Sequence, residues 1–272
     1  MYTDFYNFTE PPFNITPDPR YLYLSRQHQE AFNHLLFGIR ERKGFIQLTG
    51  EVGCGKTTLC RALFEELDNE VNTAVILNPV LSETQLLKAI LRELGVAKTA
   101  RDRLGNYEIL NDHLLANLRD GRDTLLVIDE AQDLPTTLLE FVRLLSNLET
   151  DNQKLIQILL VGQPELRDVL NDPSLRQLRQ RITVRFHIDP LSEDDTHRYI
   201  AHRISVAGSR GVPVFRKRAM RRVYRYSRGI PRLINALADK SLLAGYVHRS
   251  EIITAPMVRQ AEKVPVGSDT AP

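Results

Sequence analysis

Residues Gly50-Glu51-Val52-Gly53-Cys54-Gly55-Lys56-Thr57 match G-x-x-x-x-G-K-[S/T] at every fixed position. The preceding run, Gly44 to Thr49, reads as a short buried strand. The following run, Thr58 to Leu67, reads as a helix. A glycine loop between strand and helix turns successive backbone N–H groups inward and adds the positive end of the helix, which together form an anion cradle. The backbone of Gly50, Glu51, Val52, Gly53, Cys54, Gly55, Lys56, Thr57 and Thr58 is therefore the expected nucleotide cradle. Lys56 is expected on the β- and γ-phosphates and the Thr57 hydroxyl on Mg²⁺.

The rest of the chain to about residue 190 alternates apolar strands with amphipathic helices. Strands are expected at 73–77 (closed by Asn78-Pro79), 124–128, 155–161 and 183–188, the last alternating and so half exposed. Helices are expected from Ser25 to about Arg42, from Ser82 to Gly95, around Leu110 to Leu118, and from Pro135. Continuously apolar strands between such helices indicate an α/β fold with a five-stranded parallel sheet covered on both faces. After Asp189-Pro190 the pattern is helical, with no strong strand, over about 192–206, 216–227 and 231–248 and again from Pro256. The expected domains are an aromatic and proline-rich arm with its helix (1–44), an α/β core (45–190), a small helical lid (191–264) and a tail (265–272). The arm's aromatics need a surface and are expected to lie across the domain that follows.

Strand three ends in Asp129-Glu130. Downstream of a phosphate loop, this pair completes a nucleotide-hydrolysing site, with Asp129 holding Mg²⁺ and Glu130 polarising the attacking water. Asp129-Glu130-Ala131-Gln132 resembles helicase boxes, but the other helicase motifs are missing. Strand four runs into Gly162-Gln163-Pro164-Glu165, which makes Gln163 the candidate for contact with the γ-phosphate or the water, ahead of Asn147. Pro231 suits the first turn of a helix, so Gly229-Ile230-Pro231-Arg232 projects Arg232 from a helix start, where it could reach the γ-phosphate.

Composition narrows the class. Apolar residues make up 42% and charged residues 26% of the 272, as in globular proteins. A net charge of +2 does not by itself imply nucleic acid. Cys54 and Cys60 offer no disulfide framework, which suits a reducing compartment, the cytoplasm. No run approaches the ~18 apolar residues of a membrane span, and the N-terminus has no signal-peptide pattern.

Taken together, the phosphate loop, the acidic pair, Gln163, the arginines before strand five and the G-x-P-R of the lid resemble an AAA+ ATPase. Longer blocks resemble the ATPase part of ExeA/GspA-type general secretion pathway proteins, with MshM-like and exosortase-locus ATPases sharing them. These blocks are Pro12-Phe13, Pro17-Asp18-Pro19, Leu48 to Gly53, Val127 to Gln132, Leu144 to Thr150, Val161 to Leu166 and Ser227 to Asn235, within about residues 5 to 262. The resemblance implies an ATPase using ATP and Mg²⁺, assembling as an ATP-promoted homo-oligomer, with a ring expected. It further implies a protein partner in an envelope secretion, pilus or exopolysaccharide system. It makes Arg179 and Arg181, ahead of Arg176, candidate arginine fingers that point outward and act in trans on a neighbour's nucleotide.

ExeA-type proteins continue into a transmembrane helix and a periplasmic peptidoglycan-binding region that these residues do not contain, so a soluble member acting through a partner is expected. Two alternatives compete. A transposition-type regulator similar to TniB or TnsC would bind DNA through Arg216 to Arg228, a basic run interleaved with Tyr224 and Tyr226. A nucleotide-switch assembly scaffold would not need Glu130.

Overall fold

The computed structural model describes residues 2–14, 18–67, 70–77, 81–151, 153–209 and 211–263. Pro17, the Asn78-Pro79 stop and the 265–272 tail lie outside the described residues. In chain order the elements begin with α1 (Tyr2–Phe5), α2 (Arg26–Arg40), β1 (Phe45–Gly50), α3 (Lys56–Leu67), β2 (Val71–Ile76), α4 (Glu83–Glu93), α5 (Arg103–Arg119) and β3 (Asp123–Ile128). They continue with α6 (Thr136–Leu145), β4 (Gln157–Gly162), α7 (Glu165–Leu170), α8 (Arg176–Arg181), β5 (Ile182–Ile188), α9 (Glu193–Val206) and β6 (Val214–Phe215). The last are α10 (Lys217–Ser227), α11 (Pro231–Val247), β7 (Ile252–Ile253) and α12 (Ala255–Glu262). The chain divides into two compact units. One is Gln29–Gly50 with Leu59–Ile188; the other is Met1–His28, Glu51–Thr58 and Asp189–Pro272.

The first unit is a five-stranded sheet in the order β2-β3-β4-β1-β5, with every neighbouring pair parallel, flanked by helices. The apolar runs of β3 and β4 follow from their central places: every residue of β4, and all of β3 but Asp123, is buried. β5 pairs only with β1, and its exposure varies along the strand as expected at an edge. Three helices, α4, α5 and α9, start at a residue whose side chain accepts from a free N–H group. Ser82 Oγ accepts from Gln85 N at 3.3 Å, and Ser82 N donates to Gln85 Oε1 at 2.8 Å, a complete capping box. The apolar face of α4 (Leu86, Leu87, Ile90, Leu91) joins Leu110 and Leu114 of α5 and Leu126 and Ile128 of β3 in one core. Because the strands are parallel, the carboxyl ends of β3, β4 and β1 share one edge of the sheet. Asp129, Gln163 and the loop after Gly50 all leave from that edge.

The second unit has its own core, built by α9, α10, α11 and α12 around Ile200, Val223, Ile234, Leu242 and Val258. Two features differ from expectation. A short parallel pair, Val214↔Ile252 and Phe215↔Ile253, lies among these helices, too short for a periodic signal. The arm's aromatics also bury here rather than on the sheet domain that follows: Tyr6, Phe8, Phe13 and Tyr21 belong to this core. The reason is polar as well as apolar. Tyr6 Oη donates to the carbonyls of Leu242 (3.2 Å) and Ser250 (3.1 Å). The buried Arg203 guanidinium donates to the carbonyls of Pro12 (2.5 Å) and Asn14 (3.1 Å) and lies 4.5 Å from the Tyr21 ring centroid. A buried guanidinium needs such acceptors, and the arm supplies them. The first residues form a short helix, α1, ahead of the arm's prolines. No helix among the described residues is long and apolar enough to cross a membrane.

Candidate functional site

The phosphate loop begins where β1 ends. Gly53 and Gly55 have φ of +81° and +93°, so the loop's curl runs through the left-handed region twice. Gly53 is needed for a second reason. A Cβ there would stand 2.5 Å from Arg232 Cβ, because the first turn of α11 abuts the loop, with Arg232 N donating to Gly53 O at 3.2 Å. The Arg232 side chain is exposed. Lys56, at the start of α3, is only 7% exposed, and its Nζ donates to Glu51 O at 3.1 Å. Thr57, next on α3, is half-buried.

One contact on the loop has no sequence signal. His28 is 3% exposed, and its Nε2 lies 3.0 Å from Cys54 O while its Nδ1 lies 2.7 Å from Ser25 Oγ. The consistent arrangement is a neutral ring whose Nε2–H donates to the loop carbonyl and whose Nδ1 accepts from the serine. Burial, the larger effect, pushes the imidazole below its ordinary value of 6.5, while the Cys54 carbonyl pulls the other way. Ser25 Oγ also accepts from His28 N at 3.3 Å, so the expected capping residue of α2 orients this histidine too. The Cys54 thiol is buried and pushed up to about 11, mainly by burial, which makes it a poor nucleophile.

In the sheet unit, Asp129 and Glu130 follow β3, and both are half-buried. Asp129 N donates to Ile76 O at 2.9 Å, continuing the β2–β3 ladder. Asp129 Oδ1 accepts from Glu130 N at 3.0 Å. Glu130 itself is left-handed, φ 49° and ψ 42°, a conformation that costs a non-glycine residue about 1–3 kcal/mol and clusters at functional sites. Its Oε2 accepts from Gln132 Nε2 at 2.9 Å and from Gln163 Nε2 at 3.2 Å. Gln132 Oε1 in turn accepts from Gln163 N at 3.0 Å. Gly162 makes room for this: a Cβ there would meet Gln132 Oε1 at 2.7 Å. Gln163 is thus brought to Glu130. Asn147, its competitor, is instead exposed and accepts from Arg181 Nη1 at 2.6 Å. Gln132 was given no role in the sequence; its place two residues after Glu130 was the available clue, and the structure puts it in a tight 3₁₀ turn.

The arginines before β5 are less outward than expected. Arg181 Nη1 also donates to Ser146 Oγ at 2.8 Å, closing the end of α6, and Arg179 Nη1 donates to Asn171 Oδ1 at 3.1 Å. Both are half-buried, while Arg176 is exposed. A helix C-terminus carries unsatisfied carbonyls and negative potential, which explains the pull on Arg181. In the basic run on α10, Arg221 pairs with Glu193 (3.0 Å) and Arg222 with Glu262 (2.5 Å), whereas Lys217, Arg218, Arg225 and Arg228 are exposed.

The residues fit a nucleotide and a divalent cation. The loop offers backbone curled through two positive-φ glycines and a buried amine. Thr57 and Asp129 each carry an oxygen donor of the hard kind that Mg²⁺ takes. Among the described residues no cluster of three or more His, Cys, Asp or Glu forms a dedicated metal site.

A family model described as an AAA domain matches residues 39–170. General secretion pathway protein A of Aeromonas hydrophila is 48% identical over 255 residues, 93% of this chain but 46% of that protein. The chain thus spans less than half the length of this relative. Among solved structures, Cdc6p from Pyrobaculum aerophilum superposes with a TM-score of 0.70 at 21% identity, covering 93% of this chain and 70% of that one. The RuvB Holliday junction branch migration motor of Thermotoga maritima does so at 0.60 and 20%, covering 88% and 69%. At such identities these two speak for the fold alone. The sheet order and phosphate loop, the AAA domain match and the 48% identity over 93% of this chain together place the chain in the AAA+ ATPase family of general secretion pathway protein A.

Proposed function

We infer that the chain binds ATP with Mg²⁺ and hydrolyses it. In this reading the loop from Gly50 to Thr58 cradles the phosphates, Lys56 neutralises β- and γ-oxygens, and Thr57 and Asp129 hold the cation. Mg²⁺, when bound, offsets charge on the phosphate oxygens. Glu130 takes the proton of the attacking water, Gln163 orients water or γ-phosphate, and Arg232 reports nucleotide state to the helical lid. The carrying observation is Glu130 itself, a left-handed residue after a buried strand whose Oε2 accepts from two glutamine amides. A nucleotide-binding scaffold that never hydrolyses would have no use for so constrained a carboxylate.

Hydrolysis would drive assembly or remodelling of an envelope system of secretion, pilus or exopolysaccharide type, through a protein partner and an ATP-promoted homo-oligomer, in the cytoplasm. The support is the identity to general secretion pathway protein A. The test is nucleotide binding and phosphate release measured on two variants. Lys56→Ala is expected to abolish binding. Glu130→Gln is expected to keep ATP binding and to lower turnover by about 10²–10⁴-fold. Parent-rate hydrolysis by Glu130→Gln would overturn the assignment.

A further inference from the structure

A cavity of about 370 Å³ lies in the sheet unit, on the face of β1 and β5 toward α7 and α8. Gln47 and Thr49 of β1 stand in register with Arg185 and His187 of β5, so the four side chains share one face of the sheet. Arg167 of α7 and Arg179 of α8 complete the wall. The positions of two guanidinium groups are set by the protein: Arg185 Nη2 donates to Arg179 O at 2.5 Å, and Arg179 Nη1 to Asn171 Oδ1 at 3.1 Å. Thr49 Oγ1 lies 2.9 Å from His187 Nδ1, which orients the ring.

The charge count is one-sided. Three guanidinium groups line one small cavity, and among the described residues no carboxylate lines it and none ion-pairs with Arg167, Arg179 or Arg185. Like charges held together raise the free energy of the site, and an oxyanion offsets it. Guanidinium is the group best suited to phosphate oxygens, through paired N–H donors. Gln47 and Thr49, both nearly fully buried, add uncharged polar groups at the floor. The volume is that of a small-molecule site.

We propose that this cavity binds a small phosphate-bearing anion, at least doubly charged, as a second anion site separate from the phosphate loop. A free diphosphate and a nucleic-acid backbone offer the same oxygens. The confined volume and the convergence of three arginines from three elements favour the small anion over an extended strand.

Inorganic pyrophosphate, titrated calorimetrically at constant ionic strength into the full chain carrying Lys56→Ala, tests this with the phosphate loop disabled. Saturable binding is expected. Adding Arg167→Ala and Arg185→Ala should weaken it about tenfold or more. Arg185→Lys, which keeps the charge and loses the paired donors, should weaken it several-fold, and it serves if the double substitution disturbs folding. In the Lys56 parent, Arg167→Ala/Arg185→Ala should leave ATP affinity unchanged. Absence of pyrophosphate binding, or binding indifferent to Arg167 and Arg185, overturns the proposal. So does an oligonucleotide that binds through these arginines where pyrophosphate does not. Loss of ATP hydrolysis in Glu130→Gln is independent of every arm, so the two readings fail separately.

Discussion

Gln132 donates through Nε2 to Glu130 Oε2 and accepts through Oε1 from the backbone N–H of Gln163, so one side chain ties the turn after β3 to the residue after β4. The two strands already pair in register, Ile128 with Leu160. Gln132 carries that registration beyond the sheet edge. It also helps hold Glu130 in a backbone conformation that the residue would not adopt unaided.

Gln132→Ala should therefore lower kcat and leave nucleotide affinity intact. A hydrogen bond to a charged group contributes about 1.5–3 kcal/mol, so the loss should be roughly 10- to 100-fold. Gln132→Glu should be worse, since it sets a second carboxylate against the first. Steady-state kinetics beside an equilibrium binding measurement decides the point. A raised Kd with unchanged kcat would place Gln132 in binding rather than in positioning.

Gly229 gives a prediction about stability. Its φ is +80°, and a Cβ there would stand 1.9 Å from Leu191 O, whose own N–H donates to Gly229 O at 2.9 Å. The neighbour is backbone and cannot swing away. Gly229→Ala should cost about 2–5 kcal/mol, the sum of strain and overpacking. Gly121, φ +73°, has nothing within 4 Å of the same position. Gly121→Ala should cost only about 1–2 kcal/mol, the strain alone. Urea unfolding of both variants separates contact from conformation; equal losses would show that the Leu191 contact yields.

His28 makes folding pH-dependent in a defined direction. Its pKa in the fold lies below the ordinary 6.5 because burial disfavours the charged ring. Between the two values the unfolded chain binds more protons, so stability rises with pH there. The contribution is fully present above about pH 6.5 and is lost as pH falls through 6.5 towards the lower folded value. His113 and His202 are shifted the same way, also mainly by burial, so the parent profile combines all three. Thermal melts of the parent and of His28→Gln from pH 5 to 8 isolate the His28 share. The variant should be less stable at pH 8, and its deficit should shrink towards pH 5. A deficit constant with pH would mean that the ring is not held neutral.

The phosphate loop, the acidic pair, the parallel sheet and the helical region were legible because each leaves a local trace: fixed glycine spacing, apolar runs of strand length, a proline at a helix start. The relationships that shape the candidate site are not local. His28 meets a backbone carbonyl 26 residues away, and no residue type announces a carbonyl. Arg203 anchors the arm through the carbonyls of Pro12 and Asn14, so the arm's destination was written in a buried arginine far along the chain. Arg181 was expected to point outward because the AAA+ resemblance implies it, and the end of α6, which attracts it, offers only carbonyls, a serine and an asparagine.

The basic helix α10 separates the ATPase reading from its DNA-binding rival. Two arginines of the run are already paired with Glu193 and Glu262, which leaves a reduced field of Arg216, Lys217, Arg218, Arg225 and Arg228. Fluorescence anisotropy with duplex and single-stranded DNA should show weak binding at most, collapsing with salt as released counterions dictate. Tight binding at physiological salt, lost on Arg218→Ala/Arg225→Ala, would favour the transposition-type reading.

The last prediction is that turnover depends on assembly. Phosphoryl transfer spreads charge over the γ-phosphate oxygens, and an arginine finger supplied by a neighbour contributes about 10³–10⁵ in rate. Arg179 and Arg181 are the proposed donors, and each has a partner to release first: Asn171 for Arg179, and Ser146 with Asn147 for Arg181. These are neutral acceptors, which a phosphate outcompetes for a guanidinium. Activity per subunit should rise with protein concentration, since ATP bound at an interface stabilises the oligomer by mass action. Two inactive variants then test the direction of donation. Glu130→Gln lacks the base and keeps its arginines; Arg179→Ala/Arg181→Ala keeps the base and lacks them. Mixed in equal amounts in a head-to-tail oligomer, roughly a quarter of interfaces join an intact Glu130 to an intact donor, so activity should partly return. Because Arg181 also closes the end of α6, the single Arg179→Ala variant and a melting control accompany the double substitution. Demonstrated co-assembly without any recovery would show that these arginines do not act in trans.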